Sequence, residues 1–176
     1  FTEININVSK WKTQDMVAKR QIEDGDNTHE GWVMINDLVS KGYKYQAACQ
    51  LATLKPDRLT ARQVANGDEN EFFENIEYGK RIHEVLKDRF GEGDDKTIKT
   101  KEFTKEIVLS LQKLTYKKGM EWATGIMEEF INALSDKEVA DIKNAKSTKV
   151  QRKDEKRKQI LDKAFSFFLG QNNIKL

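Results

Sequence analysis

Residues 100–114 read TKEFTKEIVLSLQKL, and the spacing of their apolar side chains decides the fold class. Phe103, Ile107, Val108, Leu111 and Leu114 recur at i, i+3, i+4 and i+7, the period that lays one stripe along an α-helix. The same period continues on both sides. Upstream, Phe72, Phe73, Ile76, Ile82, Val85, Leu86 and Phe90 mark an amphipathic helix that stops at Gly91-Glu92-Gly93-Asp94-Asp95. Downstream, Met120, Ala123, Ile126, Met127, Phe130, Ile131 and Leu134 mark another. Ser135-Asp136-Lys137-Glu138 then has the pattern of a capping box, in which Ser135 accepts from the Glu138 amide while Glu138 reaches back. Ser147 is placed to cap a last helix ending near Gly170, with Ile160, Leu161, Ala164, Phe165 and Phe168 inward.

Nearer the start, Thr13 is the expected cap of a short helix through Ile22. Thr28 is the expected cap of the next, whose Trp32, Ile35, Leu38 and Val39 share a face and whose end suits Gly42. Two short helices follow at 44–53 and 59–65, separated by Pro56-Asp57 and stopped by Asn66-Gly67. Only Thr2-Glu3-Ile4-Asn5-Ile6-Asn7-Val8 alternates with period two. A lone strand of this kind needs a partner, from missing sequence, another chain or elsewhere in this one. The expected architecture is therefore an all-α multi-helix bundle with a short N-terminal extended segment. Gly91 to Asp95 either divides it into an N-terminal lobe (1–90) and a C-terminal lobe (96–176) or forms a surface loop.

Composition narrows the function. Charged residues make up 34% of the 176 positions, yet the formal net charge is only +2. Signs so evenly mixed do not describe a uniformly basic coat for nucleic acid, so any such contact must come from local patches. The single Cys excludes an internal disulfide and fits a reducing, cytoplasmic interior. No apolar run approaches the roughly 18 residues of a membrane span.

Chemistry is sparse. His83 lies on the apolar side of its helix, which favours a hydrogen-bonded core histidine; His29 falls in a first helical turn and is expected to be exposed. Cys49, between Ala48 and Leu51, reads as a small buried hydrophobe. Glu23-Asp24-Gly25-Asp26-Asn27 invites a calcium loop, but the bidentate Glu required near Ile35 is missing. Gly91-Glu92-Gly93 lacks the Gly-Lys-Ser/Thr of a phosphate loop and sits among acids. The chain thus offers no catalytic residue, no metal site and no cofactor.

Two regions read as binding surfaces. Residues 43–67 have the scale of a helix-turn-helix, although 53–58 is a long turn. Arg58, Arg62 and Gln63 carry donors and acceptors suited to base edges, with Lys41, Lys44 and Lys55 suited to phosphates. The plain alternative is a helical hairpin with a solvated face. The second region is 143–158, where eight cations face two acids, a local net of +6. No large apolar residue stands between Val150 and Ile160, so a basic helix (148–169) is expected to project its Lys149, Arg152, Lys153, Lys156, Arg157 and Lys158 away from the core. Such a rod can follow DNA phosphates, pair with an acidic partner, or be solvated. The Phe165-Ser166-Phe167-Phe168-Leu169 end has apolar residues on more than one side, which suits a packed terminus or a homo-oligomer contact.

The segment from Ile4 to Val17, where an Ile-Asn strand end leads to Trp11 and Asp15 at the start of helical sequence, resembles the exit from the N-terminal domain of ParB-like proteins. Asn27 to Leu54 is similar to the part that follows in that family, and the later helices match in length and order. The resemblance implies a non-enzymatic DNA-binding module of partition or phage gene control, with the family's nuclease or nucleotide-binding motifs upstream of Phe1. The alternative is a helical module that grips another protein, such as a host target of a phage regulator.

Overall fold

Small side chains set the closest approaches in this chain. A computed structural model describes residues 12–176; the strand-like segment at 2–8, and with it Trp11, lies outside the described residues. Ten α-helices and two 3-10 turns are described, and no strand occurs among the described residues. The all-α expectation holds.

Helix α1 (Thr13–Asp24) begins at Thr13 rather than being capped by it; the Asp15 carboxylate accepts from the Lys12 amide at 3.2 Å. Helix α2 (Glu30–Ser40) is capped by His29, not Thr28: the His29 Nδ1 accepts from the Gly31 amide at 3.0 Å. Thr28 instead donates its hydroxyl back to the carbonyls of Gln21 and Gly25. His29 is half-buried, contrary to expectation, because its ring stacks on Phe73 with centroids 5.2 Å apart.

Trp32 is fully buried and joins four elements. Its edge-on contacts with Phe73 (4.9 Å) and Phe72 (6.5 Å) bring in α5 (Glu69–Phe72) and the turn after it. The indole N–H donates to Glu69 at 2.9 Å, and Arg20 of α1 lies over the ring at 5.4 Å. Arg20 also pairs with Glu69 and donates to the Val64 carbonyl of α4 (Ala61–Asn66), so a single guanidinium closes this end of the bundle.

Helix α3 (Tyr45–Thr53) is buried along almost its whole length and packs on α2, on α6 (Ile76–Phe90) and on α7 (Lys101–Lys118). Gly79 of α6 permits this: a Cβ there would stand 2.0 Å from the Leu51 carbonyl oxygen. The helix ends on Leu54, a left-handed residue (φ 52°) whose side chain is buried. The long helix expected from Phe72 is broken at 73–75, where Phe73 turns inward under Gly31.

Helix α8 (Met120–Ala133) packs antiparallel on α7 after the Gly119 turn and also lies along α6. The Ser135–Glu138 capping box forms at the start of α9 (Asp136–Lys143), with both hydrogen bonds at 2.9–3.0 Å. Helix α10 (Lys153–Gln171) closes the bundle against α7, α8 and α9. The loop at 91–95 does not separate two cores: one hydrophobic cluster runs from Val17 to Phe165 across it. No helix among the described residues is long and apolar enough to cross a membrane.

The close approach at Gly79 has a measurable cost. Gly79→Ala is expected to destabilise the fold by about 3 kcal/mol, the upper end for overpacking, since a backbone carbonyl must yield. Gly125→Ala in α8, where nothing lies within 4 Å of the added carbon, is expected to stabilise by up to ~1 kcal/mol through helix propensity. Urea unfolding of the two variants checks both signs.

Candidate nucleic-acid interface

Two buried cations organise the centre of the candidate surface. Between α6 and α7, residues 91–100 form a loop ending in the 3-10 turn Thr97–Lys99. Lys99 is buried, and its ammonium donates to the carbonyls of Lys41 (2.8 Å) and Gly93 (3.2 Å) beside the Tyr43 ring at 5.8 Å. Arg157 of α10 is only 8% exposed. Its Nε donates to the Ile142 carbonyl at 2.9 Å and its Nη2 to the Thr97 hydroxyl at 3.4 Å. Lys41 is the C-cap of α2 and Ile142 lies in the last turn of α9. Each cation therefore sits where a helix dipole concentrates negative charge.

This arrangement corrects the expectation for Arg157, which is a packing residue and not part of a projecting basic rod. Polar atoms of the chain itself satisfy its guanidinium, so burial there is tolerable. Lys158 is likewise engaged, by Asp162 at 2.8 Å and Glu106 at 3.3 Å. The last helix starts at Lys153, not at 148. Residues 144–152 form a loop braced by Thr148 N–H to Gln151 O (2.8 Å), Lys153 N–H to Ser147 Oγ (3.0 Å) and Lys156 Nζ to Lys146 O (2.6 Å). Ser147 thus does accept from the first turn of the helix, but across a loop.

What remains outward is a basic loop without acids. From 143 to 153 the chain carries Lys143, Lys146, Lys149, Arg152 and Lys153 and no Asp or Glu. Lys149, Arg152 and Lys153 are exposed around Val150, itself 94% exposed, and the acids Asp154 and Glu155 follow in the first turn of α10.

The first basic region divides. Lys44 is exposed at the N-terminus of α3, where its amide donates to the Lys99 carbonyl at 3.0 Å. It and the Arg157 guanidinium are therefore anchored two residues apart in one turn. Lys41 is nearby and exposed, paired with Asp37 at 2.9 Å. Lys96 and Lys101, which the sequence did not single out, flank that turn and are exposed. Asp94 and Glu102 are exposed beside them, and Asp95 caps the Thr97 amide at 2.8 Å.

Lys55, Arg58, Arg62 and Gln63 lie beyond the far end of α3, whose nine residues span about 13 Å. Arg58 and Arg62 are exposed and make no ion pair among the described residues. Gln63 is engaged in a capping box, its Oε1 accepting from the Thr60 amide at 2.8 Å. Residues 54–60 separate α3 from α4, and α4 has only six residues, packed on α1. The compact pair of a helix-turn-helix, with a second helix long enough to lie in a groove, is not formed. A cleft of about 210 Å³ between Lys55, Gln63 and Glu71 takes the place of that contact.

Behind the Lys99 turn, Tyr43, His83 and Glu92 form a hydrogen-bonded triangle. Tyr43 donates its hydroxyl to Glu92 Oε2 at 2.7 Å, and His83 Nε2 lies 3.0 Å from the same oxygen and 2.8 Å from the Tyr43 hydroxyl. An ionised carboxylate only accepts, so the neutral imidazole carries its proton on Nε2. Burial lowers the His83 pKa, partly opposed by Glu92. Burial acts to raise the Glu92 pKa, but the hydrogen bonds from Tyr43 and His83 leave it below the ordinary carboxylate value. The triangle fixes the 91–95 loop against α6, the structural role expected of His83. Cys49 is buried, and burial raises its thiol pKa. Among the described residues, no group of three or more His, Cys, Asp or Glu side chains is placed to hold a metal ion.

Compared with known proteins, the chain matches no family model, no curated protein and no solved structure.

Two outcomes follow from these contacts. Arg157→Met, which removes the buried charged hydrogen bonds to the Ile142 carbonyl and the Thr97 hydroxyl, is expected to cost about 2–3 kcal/mol of stability, whereas Lys153→Met stays within ~0.5 kcal/mol; denaturant titration separates them. A histidine whose folded pKa is depressed binds fewer protons in the native state. Its stabilisation is complete above the unfolded value near 6.5 and is lost as pH falls from there through the folded pKa. Thermal melts from pH 7.5 down to 5 are expected to show falling Tm, with a flatter profile in His83→Gln.

Proposed function

We propose that the chain is a non-enzymatic DNA-binding module, the helical part of a ParB-like protein, acting in a cytoplasmic setting. Its primary contact is the acid-free loop at 143–153, with Lys44, Lys96 and Lys101 extending the phosphate footprint. The observation that carries the reading is the anchoring of Lys44 and of the start of α10 to the Thr97–Lys99 turn, through the Lys44 amide on one side and the Arg157 guanidinium on the other. Neighbouring cations on ordered backbone meet a regular array of phosphates with less ordering cost than a flexible tail does. The Lys55, Arg58 and Arg62 turn is a second contact at the other end of α3, its two arginines exposed and without ion pairs.

Labelled duplex titrated across a range of salt tests this. Affinity is expected to fall steeply with salt, and the logarithmic slope to drop by about 0.9 for each phosphate contact removed. Lys149→Glu, Arg152→Glu and Lys153→Glu combined are expected to reduce affinity at least tenfold and flatten that slope, with the far-UV spectrum unchanged. Absence of duplex binding at low salt, or an unaltered slope in the triple variant, sinks the reading. The alternative, a helical protein-interaction module, is favoured by a different observation: the 69% exposure of Phe167 beside an apolar groove.

A further inference from the structure

The basic loop before α10 carries one large apolar side chain, and the backbone holds it at the tip. The Thr148 amide donates to the Gln151 carbonyl at 2.8 Å, and the Gln151 amide donates to the Thr148 hydroxyl at 3.2 Å. These two bonds close a tight turn with Lys149 and Val150 at its apex. Behind it, Ser147 Oγ accepts from the Lys153 amide and the Lys146 carbonyl accepts from Lys156 Nζ, which ties the loop to the first turn of α10. Val150 is 94% exposed, more than any other large apolar side chain among the described residues. A lone exposed apolar residue is ordinary on a surface. This one sits in a run with Lys146, Lys149, Arg152 and Lys153, all exposed and none in an ion pair among the described residues. The two acids that follow are engaged by the helix: Glu155 accepts from the Arg152 amide at 3.4 Å, and Asp154 lies 3.8 Å from the Arg157 guanidinium.

We propose that this apex enters the major groove of duplex DNA and that Val150 reads the C5-methyl group of thymine. The proposal rests on the DNA reading above and adds a base contact to a surface otherwise suited to phosphates. Cations beside an apolar tip fit a partner with anions outside and apolar groups within reach, which describes DNA and an anionic bilayer alike. Scale separates the two. A whole myristoyl chain gives only marginal, reversible bilayer binding, so one valine adds little there. On DNA the phosphate contacts supply the affinity, and a single small apolar group suffices to distinguish one base edge from another. The major groove, about 12 Å wide, admits a two-stranded ribbon and therefore a two-residue apex; of the four bases, thymine alone presents a methyl there. Valine suits such an edge contact, whereas insertion between base pairs is made by longer side chains. Its branched Cβ restricts χ1, so its two methyl groups are presented with little rotamer freedom to lose.

Two duplexes of one alternating A·T sequence test this, the first with thymine and the second with deoxyuridine at every pyrimidine position. The exchange removes the C5-methyl and leaves charge and hydrogen-bonding edges unchanged. The full chain is expected to bind the deoxyuridine duplex about three- to fivefold more weakly, the worth of one buried methyl-sized group. Val150→Ser is expected to lose the same factor on the thymine duplex and to bind the two duplexes equally, with Tm unchanged at this exposed position. Its salt slope is expected to match that of the unaltered chain, since no phosphate contact is removed. A chain that binds duplex DNA without distinguishing the two overturns the inference and leaves the DNA reading in place. A preference for thymine that survives Val150→Ser also overturns it. No duplex binding at low salt removes the reading and the inference together. Binding to vesicles of phosphatidylserine and phosphatidylcholine that Val150→Ser weakens assigns the apex to lipid and overturns the base contact.

Discussion

Two positive charges held inside the protein by carbonyl groups govern how the bundle closes. Lys99 and Arg157 enter from different elements, and each ends at the C-terminus of a helix, α2 for the lysine and α9 for the arginine. Neither placement is cheap. Hydrogen bonds from a charged donor contribute about 1.5–3 kcal/mol when made, and losing the acceptor leaves a desolvated ion. Because both serve the same short turn, the start of α3, the 91–95 loop, the end of α9 and the first turns of α10 are positioned together.

The helices were readable because their apolar positions recur with helical period, and period reports directly on which face is inside. Gly42, Gly91 and Gly119 mark ends where positive φ is needed, and the Ser135–Glu138 box announces its own helix start. What escaped reading depends on tertiary partners. Arg157 has the composition of a surface residue, and only the Ile142 carbonyl and Thr97 hydroxyl make it an interior one. His29 displaced Thr28 as a cap because Phe73 offered a ring to stack on. The break after Phe72 is set by the space above Gly31, which no periodicity encodes. Lys96 and Lys101 gave no cluster signal in sequence, since Lys44, whose amide bonds the turn they flank, is distant along the chain.

The surface that results has a division of labour. Cations that carry structure are satisfied by backbone or by nearby acids, as at Lys99, Arg157, Lys158 and Lys41. Exposed cations with no ion pair among the described residues include Lys149, Arg152 and Lys153 of the 143–153 loop, and Arg58 and Arg62. A net charge near neutral is therefore compatible with strong local fields, because the acids concentrate elsewhere, for instance around Arg81 and Lys80.

Leu54 bears on how that surface can change. A leucine in left-handed backbone costs roughly 1–2 kcal/mol, which burying its side chain offsets. The direction of the chain after α3 is thus enforced from the interior, not by the turn's own residues. Lys55, Arg58 and Arg62 are consequently free to vary without redirecting the backbone that displays them. A polar replacement of Leu54 would do the reverse, keeping every exposed side chain while releasing the path that arranges them. The specificity of this end of the molecule and its conformation are, in that sense, inherited through separate positions.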